Sequence, residues 1–194
     1  RGLEPGLEEN LRAVLAQDYP DFEVLLVTTA GDEALPLLAR LAGEFPAKAR
    51  VVLAESSTAC AQKLVNQLAA LAVANPRTEA YAFLDSDGLV RQDFLRRMLG
   101  PLADPGTGLV TGWRWYLPEH GKFWSYVRSA WNAGALPFLV DDQHNIAFGG
   151  AMAVKRAVFE RAAVKGRWRQ AVDDGLTLAR AVKELGLRVK FVPE

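Results

Sequence analysis

The sequence predicts a single α/β domain built on a mostly parallel sheet with helices on both faces. Three observations predict it. Short apolar runs of strand length alternate with segments whose apolar residues recur at helical spacing. The 194 residues, 50% of them hydrophobic, suffice for one sizeable core and not for two. An acidic tripeptide follows one apolar run directly, the position where open α/β sheets place their ligands.

The elements follow in order. Arg1-Gly2-Leu3-Glu4-Pro5-Gly6 is loop sequence with no strand ahead of it, so the chain is expected to be cut from a longer protein. Leu7, Leu11, Val14 and Leu15 make a helix that stops at Asp18-Tyr19-Pro20, and residues 22–27 make a buried strand. Leu35, Leu38, Leu41 and Ala42 form a second helix ending near Phe45-Pro46, followed by a strand at 51–53 and the polar loop Glu55-Ser56-Ser57-Thr58. A long helix through Leu64, Val65, Leu68, Leu71 and Ala72 leads into a strand at 81–84. A helix through Phe94, Leu95, Met98 and Leu99 and a strand at 109–113 complete the regular part. Alternation of this kind yields a parallel sheet, because each crossover helix must pack back on a face. Residues 113–145 are less regular and carry Trp113, Trp115, Trp124 and Trp131 with Phe123, Tyr126 and Phe138. That density is read either as the packing of an irregular segment or as an aromatic acceptor-binding surface.

Asp85-Ser86-Asp87 is the most informative motif. It sits between the apolar run 81–84 and Gly88. Two carboxylates there can hold a hard divalent cation, which completes its shell with water and substrate phosphates. The same residue types also form turns, so the tripeptide alone leaves a purely structural reading open. A second pair, Asp173-Asp174, precedes a helix carrying Leu176, Leu178, Ala179, Val182 and Leu185 and closing at Gly186. Acids at a helix start are favoured by capping and the dipole, or a carboxylate there can act as general base toward a hydroxyl.

Composition excludes several classes. Lys plus Arg equals Asp plus Glu, 23 against 23, so no global field draws nucleic acid or an acidic membrane, and any charge-driven site is local. The lone Cys60, placed in an apolar helical pattern, excludes an internal disulfide and a cysteine zinc site and is expected to be a buried thiol. No apolar window reaches transmembrane length, and no signal-peptide pattern opens the chain. His120 in Pro118-Glu119-His120-Gly121 reads as an exposed turn residue; His144 reads as solvated or structural, with an acceptor contact as the alternative.

These residues carry a resemblance. Asn10-Leu11, Gln17-Asp18-Tyr19-Pro20 and the strand at 22–27 look like the opening of family 2 type glycosyltransferases of the GT-A fold. Lys63-Leu64-Val65-Asn66-Gln67-Leu68 resembles their Lys-x-x-Asn-x-Leu segment, Asp85-Ser86-Asp87 their D-x-D motif, Gly149-Gly150-Ala151 their small-residue turn, and Asp173-Asp174 their later acidic pair. The opening loop and Phe191-Val192-Pro193-Glu194 are most similar to the ceramide glucosyltransferase-like branch.

The resemblance implies inverting transfer of a hexose from a nucleotide-diphosphate sugar, UDP-sugar favoured, to an acceptor hydroxyl of a lipid such as ceramide or of a saccharide. It implies a divalent cation, Mg²⁺ or Mn²⁺, on Asp87 and Asp85, and donor contacts from Asp32, Lys63, Asp85, Ser86 and Asp87. Asp174, or Asp173, would be the base, and Gly149, Gly150 and Trp168 would meet the acceptor. It further implies a catalytic domain, residues 1–194, that lacks the family's first strand and C-terminal part, and a parent protein held at a membrane by segments outside this chain, with its catalytic domain facing the cytoplasm.

Two departures stand out. The nucleotide-contacting acid expected after the strand at 22–27 is replaced by Thr28-Thr29-Ala30-Gly31-Asp32-Glu33, with Asp32 the best match. The branch's Gln/Arg-x-x-Arg-Trp motif is not reached before Glu194. Three rivals remain: a haloacid dehalogenase-type phosphatase, whose D-x-D normally lies on the first strand; a sugar nucleotidyltransferase, whose Gly-rich loop is missing; and a non-catalytic nucleotide- or carbohydrate-binding module.

Overall fold

The computed structural model describes residues 2–118 and 121–193, so the expectation for His120 lies outside the described residues. In chain order the elements are α1 (Leu7–Leu15), β1 (Val24–Thr28), α2 (Leu35–Glu44), β2 (Ala49–Leu53), α3 (Gln62–Val73), β3 (Ala80–Leu84), α4 (Phe94–Leu99) and β4 (Thr107–Thr111). Then come α5 (Phe123–Ala133), β5 (Ala151–Lys155), α6 (Arg156–Arg161), α7 (Val164–Trp168), α8 (Asp174–Lys183) and β6 (Arg188–Phe191). The predicted strands and helices are present, with ends shifted by a few residues where strands begin or fray.

Two sheets result: β1 pairs with β2 in parallel, and four strands run in the order β3-β5-β4-β6. Strand β5 is antiparallel to both β3 and β4, whereas β4 and β6 are parallel, so only two of the four pairings match the parallel expectation. The cause is where β5 starts. Its first residue, Ala151, pairs with Leu84, the last of β3, so the chain enters the sheet at the end where β3 leaves it. That reversal brings Gly150 beside Asp85.

Helices cover both faces of the larger sheet, and the strand alternation shows how. Leu109, Met152 and Val154 point into a core shared with Leu64 and Leu71 of α3, Phe159, Trp168, Leu178 and Val182. Their neighbours Val110, Ala151 and Ala153 point the other way, against Phe94, Leu95 and Met98 of α4. A third cluster joins Leu7, Leu11 and Leu15 of α1 to Leu38 and Leu41 of α2 and to Leu26 of β1. Helix α1 therefore buries one stripe at spacing i, i+4, i+8, while Glu8, Arg12, Arg40 and Glu44 make a surface ion-pair network between α1 and α2. Cys60 precedes α3 instead of lying within a helix, half-buried against the larger core and unbonded.

The aromatic segment divides: Trp113 is buried against Phe148, and the stretch that follows turns outward. Residues 123–133 form helix α5, and none of its side chains is buried. Apolar periodicity was masked there by aromatic clustering, since Phe123 and Trp124 are adjacent. Between β1 and β3 lies a cleft of about 1140 Å³, lined by residues of both strands and, at one end, by Lys63, Asp85, Asp87 and Arg114.

Candidate active site

The site begins where strand pairing stops. After Leu84 pairs with Ala151, the Asp85 amide still donates to the Gly150 carbonyl at 3.1 Å, and the next two residues turn out of the sheet. The Asp85 carboxylate meets Lys63 Nζ at 2.7 Å. Lys63 lies in the first turn of α3, and the same ammonium reaches Asp174 Oδ2 at 3.1 Å. Gln67, one helical turn further along the same face, donates through Nε2 to Asp174 Oδ2 at 2.7 Å. One lysine thus joins the acid at the end of β3 to the acid at the start of α8. Burial pulls the Lys63 ammonium down, but the hydrogen bond it donates to Asp85 and the charges of both carboxylates outweigh it and hold its pKa above the ordinary lysine value.

Asp173 and Asp174 separate clearly. Asp173 is the N-cap of α8, its Oδ1 accepting from the Leu176 amide at 2.6 Å, and its side chain is turned to solvent. Asp174 begins the helix and is 4% exposed, facing Lys63 and Gln67. Of the two acids proposed from sequence for base chemistry, only Asp174 reaches the cluster.

Two glycines make the close approach possible. A Cβ on Gly149 would lie 2.1 Å from Asp174 Oδ1, and one on Gly150 would lie 2.7 Å from Asp85 Oδ2, so any larger residue would displace a carboxylate. Their role is to let two acids converge, through backbone proximity. Trp168 corrects another expectation. It is fully buried, with its ring edge-on to Phe83 and Phe159 and its indole N–H donating to the Asp174 carbonyl at 3.3 Å. A side chain with no exposed surface cannot touch an acceptor, and Trp168 braces the start of α8 from beneath.

Asp87 pairs with Arg114, whose guanidinium also comes within 4.0 Å of Asp85 Oδ2. Arg114 lies over the rings of Tyr116 and Phe148, which fix its plane. Ser86 contributes its carbonyl, which accepts from Asn10 Nδ2 at 3.0 Å and ties α1 to the motif. Asp32 lines the cleft, but its Oδ1 accepts from the amides of Ala34 and Gly2. The Ala34 amide chiefly, against a desolvation that raises it and with help from Gly2 and Thr28, holds this carboxyl below the usual aspartate range. His144 is exposed outside the cleft and pairs with Asp141 at 2.6 Å.

Sequence reasoning missed Gln67 and Arg114 as site residues. Both carry a buried polar atom, Gln67 Oε1 and Arg114 Nε, with no partner among the described residues. Such orphaned atoms are uncommon in folded proteins, and both residues line the cleft. Gln67 could have been found from its position four residues after Lys63; nothing in the spacing marks Arg114.

A model of glycosyl transferase family 21 matches residues 1–194, the whole chain. The chain belongs to glycosyl transferase family 21. The family 21 chain is accordingly a nucleotide-sugar transferase of the ceramide glucosyltransferase-like group. Its fold is the GT-A fold, as two solved structures show. The 4-diphosphocytidyl-2C-methyl-D-erythritol synthase of Anaerococcus prevotii DSM 20548 superposes with a TM-score of 0.61 at 12% identity, over 96% of this chain and 75% of that one. Glucosyl-3-phosphoglycerate synthase of Mycobacterium tuberculosis, in complex with phosphoglyceric acid, gives 0.56 at 18% identity, over 99% and 67%. No curated protein sequence matches the family 21 chain significantly. Membership favours glycosyl transfer over the phosphatase and nucleotidyltransferase alternatives, and among the described residues no helix is long and apolar enough to cross a membrane.

Proposed function

We propose that the chain is the catalytic domain of an inverting hexosyltransferase, which moves a sugar from a nucleotide-diphosphate donor, a UDP-sugar by preference, to the hydroxyl of a lipid acceptor such as ceramide. The observation that carries this reading is the Lys63 bridge, 2.7 Å from Asp85 and 3.1 Å from Asp174. It sets a donor-side acid and a candidate base in one cluster at the mouth of a cleft.

Asp174 is the base in this reading. Its carboxylate takes the proton of the acceptor hydroxyl while the oxygen attacks the anomeric carbon and the bond from that carbon to the diphosphate breaks; one displacement inverts the centre. Gln67 and Lys63 hold the carboxylate in place, and Gly149 lets it sit against the turn before β5. Lys63 and Arg114 are the cations positioned for the diphosphate, and Asp32, just beyond the end of β1, is proposed to meet the nucleoside.

The residues fit a divalent cation. Asp85 and Asp87 offer oxygen donors only, the ligand type of Mg²⁺ or Mn²⁺ when the ion shares its shell with substrate phosphates. Bound there, the cation would neutralise the departing diphosphate. Arg114 would have to release Asp87 for this.

The cleft supports one more part of the reading. β1 and β3 each pair on one side only, and the free side of both lines the cleft, so a strand preceding Arg1 is proposed to pair between them. A C-terminal part after Glu194 and membrane segments that hold the domain at a cytoplasmic face complete the proposed parent protein.

The test is calorimetric titration of the full-length protein with UDP and GDP, with and without Mn²⁺, repeated on Asp87→Ala. Metal-dependent UDP binding that vanishes in the variant is expected. Absence of binding to either nucleotide would refute the proposal.

A further inference from the structure

Helix α5 is attached to the protein the wrong way round for a soluble surface. At 3.6 residues per turn, Phe123, Trp124, Val127, Ala130 and Trp131 share one half of the helix, and Ser125, Arg128, Ser129 and Asn132 share the other. An ordinary surface helix buries the first set. Here Ser125, Ser129, Asn132 and Ala133 are the half-buried ones, and Asn132 Oδ1 accepts from the Trp113 indole at 3.2 Å. The apolar half faces outward, with Phe123 69%, Trp124 76% and Trp131 86% exposed. Leu117, Phe138 and Val140, in the segments on either side of the helix, are exposed as well. A cluster of this size on the outside of a folded protein marks a surface that something covers.

We infer that α5 lies in the interface of a lipid bilayer bearing anionic headgroups, with its Trp124 and Trp131 rings among the upper acyl chains. Two observations select this occupant. Tryptophan and phenylalanine on one face with polar residues on the other is the composition of helices that lie in the plane of a membrane interface. Charge agrees: in a chain balanced at 23 against 23, residues 112–140 carry Arg114, Lys122 and Arg128 against the single acid Glu119. Arg114 is taken up by Asp87, which leaves Lys122 and Arg128, the latter lying over Tyr116 at 4.3 Å, to meet anionic lipid.

The polar face of α5 is tied to the segment that enters the carboxylate cluster: Trp113, which holds Asn132, is followed directly by Arg114 on Asp87. The inference stands whether or not the proposed sugar transfer is correct.

The experiment reads tryptophan fluorescence of the full-length protein with vesicles of phosphatidylcholine brominated in its acyl chains, with and without phosphatidylserine. Quenching is expected, stronger with phosphatidylserine. Trp124→Phe/Trp131→Phe should lose most of it while circular dichroism and UDP binding stay unchanged. Lys122→Glu/Arg128→Glu should lose the phosphatidylserine enhancement and keep the quenching seen in phosphatidylcholine alone. Equal quenching of the wild type and the double phenylalanine variant would overturn the inference. So would sedimentation showing that, without lipid, the wild type self-associates and a Trp131→Glu protein does not.

Discussion

Gly149→Ala is the sharpest single perturbation of the site. The added methyl would stand 2.1 Å from Asp174 Oδ1, where ordinary contact begins at 3.4 Å, so the carboxylate must retreat by about 1.3 Å (3.4 − 2.1). It cannot do so freely, because Gln67 holds the same carboxylate at 2.7 Å and Lys63 at 3.1 Å on the opposite oxygen. Losing one hydrogen bond to a buried charge costs about 1.5–3 kcal/mol, and overpacking costs about 1–3 kcal/mol. With partial relaxation a destabilisation of about 3 kcal/mol is expected, which for a domain of this size lowers the melting temperature by roughly 6–12 °C. A misplacement of about 1 Å at the base should slow turnover by about 10²-fold, while UDP affinity, set by the other end of the cluster, should change little. Thermal denaturation, a UDP titration and a transfer assay with the donor identified by calorimetry read the three quantities. A Gly149→Ala protein that melts within about 2 °C of wild type and turns over normally would refute the argument that this glycine makes room for Asp174.

Three further outcomes follow from the same geometry. Arg114→Met should raise Mn²⁺ affinity in the absence of nucleotide, by freeing Asp87, and weaken UDP binding at saturating Mn²⁺; paired calorimetric titrations check both signs. Trp168→Ala should cost about 3–5 kcal/mol in denaturant unfolding, and Trp168→Phe about 1 kcal/mol, because the first removes a fully buried ring and the second mainly its bond to the Asp174 carbonyl. The Asp32 carboxyl is depressed by the Ala34 and Gly2 amides, so its contribution to stability is present above its unfolded pKa, near 3.8, and is lost as pH falls through the lower folded value. Asp32→Asn should therefore remove stability at pH 7 and flatten the decline below about pH 4, as measured by urea midpoints across an acid series.

The sequence made the strands legible because each is an apolar run with β-branched or aromatic residues between turn formers, as in 81–84 before Asp85. It made the two acidic motifs legible for the same local reason. Other parts depended on which way a residue faces once the chain has folded. Trp168 follows Arg167 in a polar stretch, and nothing there tells that its ring turns inward to Phe83 and Phe159. Arg114 enters the site only because β4 ends at the same edge of the sheet as β3, one strand away across β5, a matter of strand order rather than spacing. The reversed direction of β5 is likewise a property of the connection from Gly150, not of the strand's own residues. Helix α5 defeated the reading in another way, since its apolar face points to the outside and its aromatics cannot be told by composition from core.

The reversal of β5 also bears on how the protein is made. Asn10 on Ser86, Gln67 on Asp174 and Lys63 on Asp174 close contacts over 76, 107 and 111 residues (174 − 63), so the cluster rests on ties that are among the least local in the chain. Ties of this length carry a large loop-closure cost, and they cannot exist until the elements at both their ends have come together. A nascent or partly unfolded chain therefore holds its acids apart. Competence for chemistry and completeness of the fold arrive together, and an intermediate lacking α8 has no base with which to act.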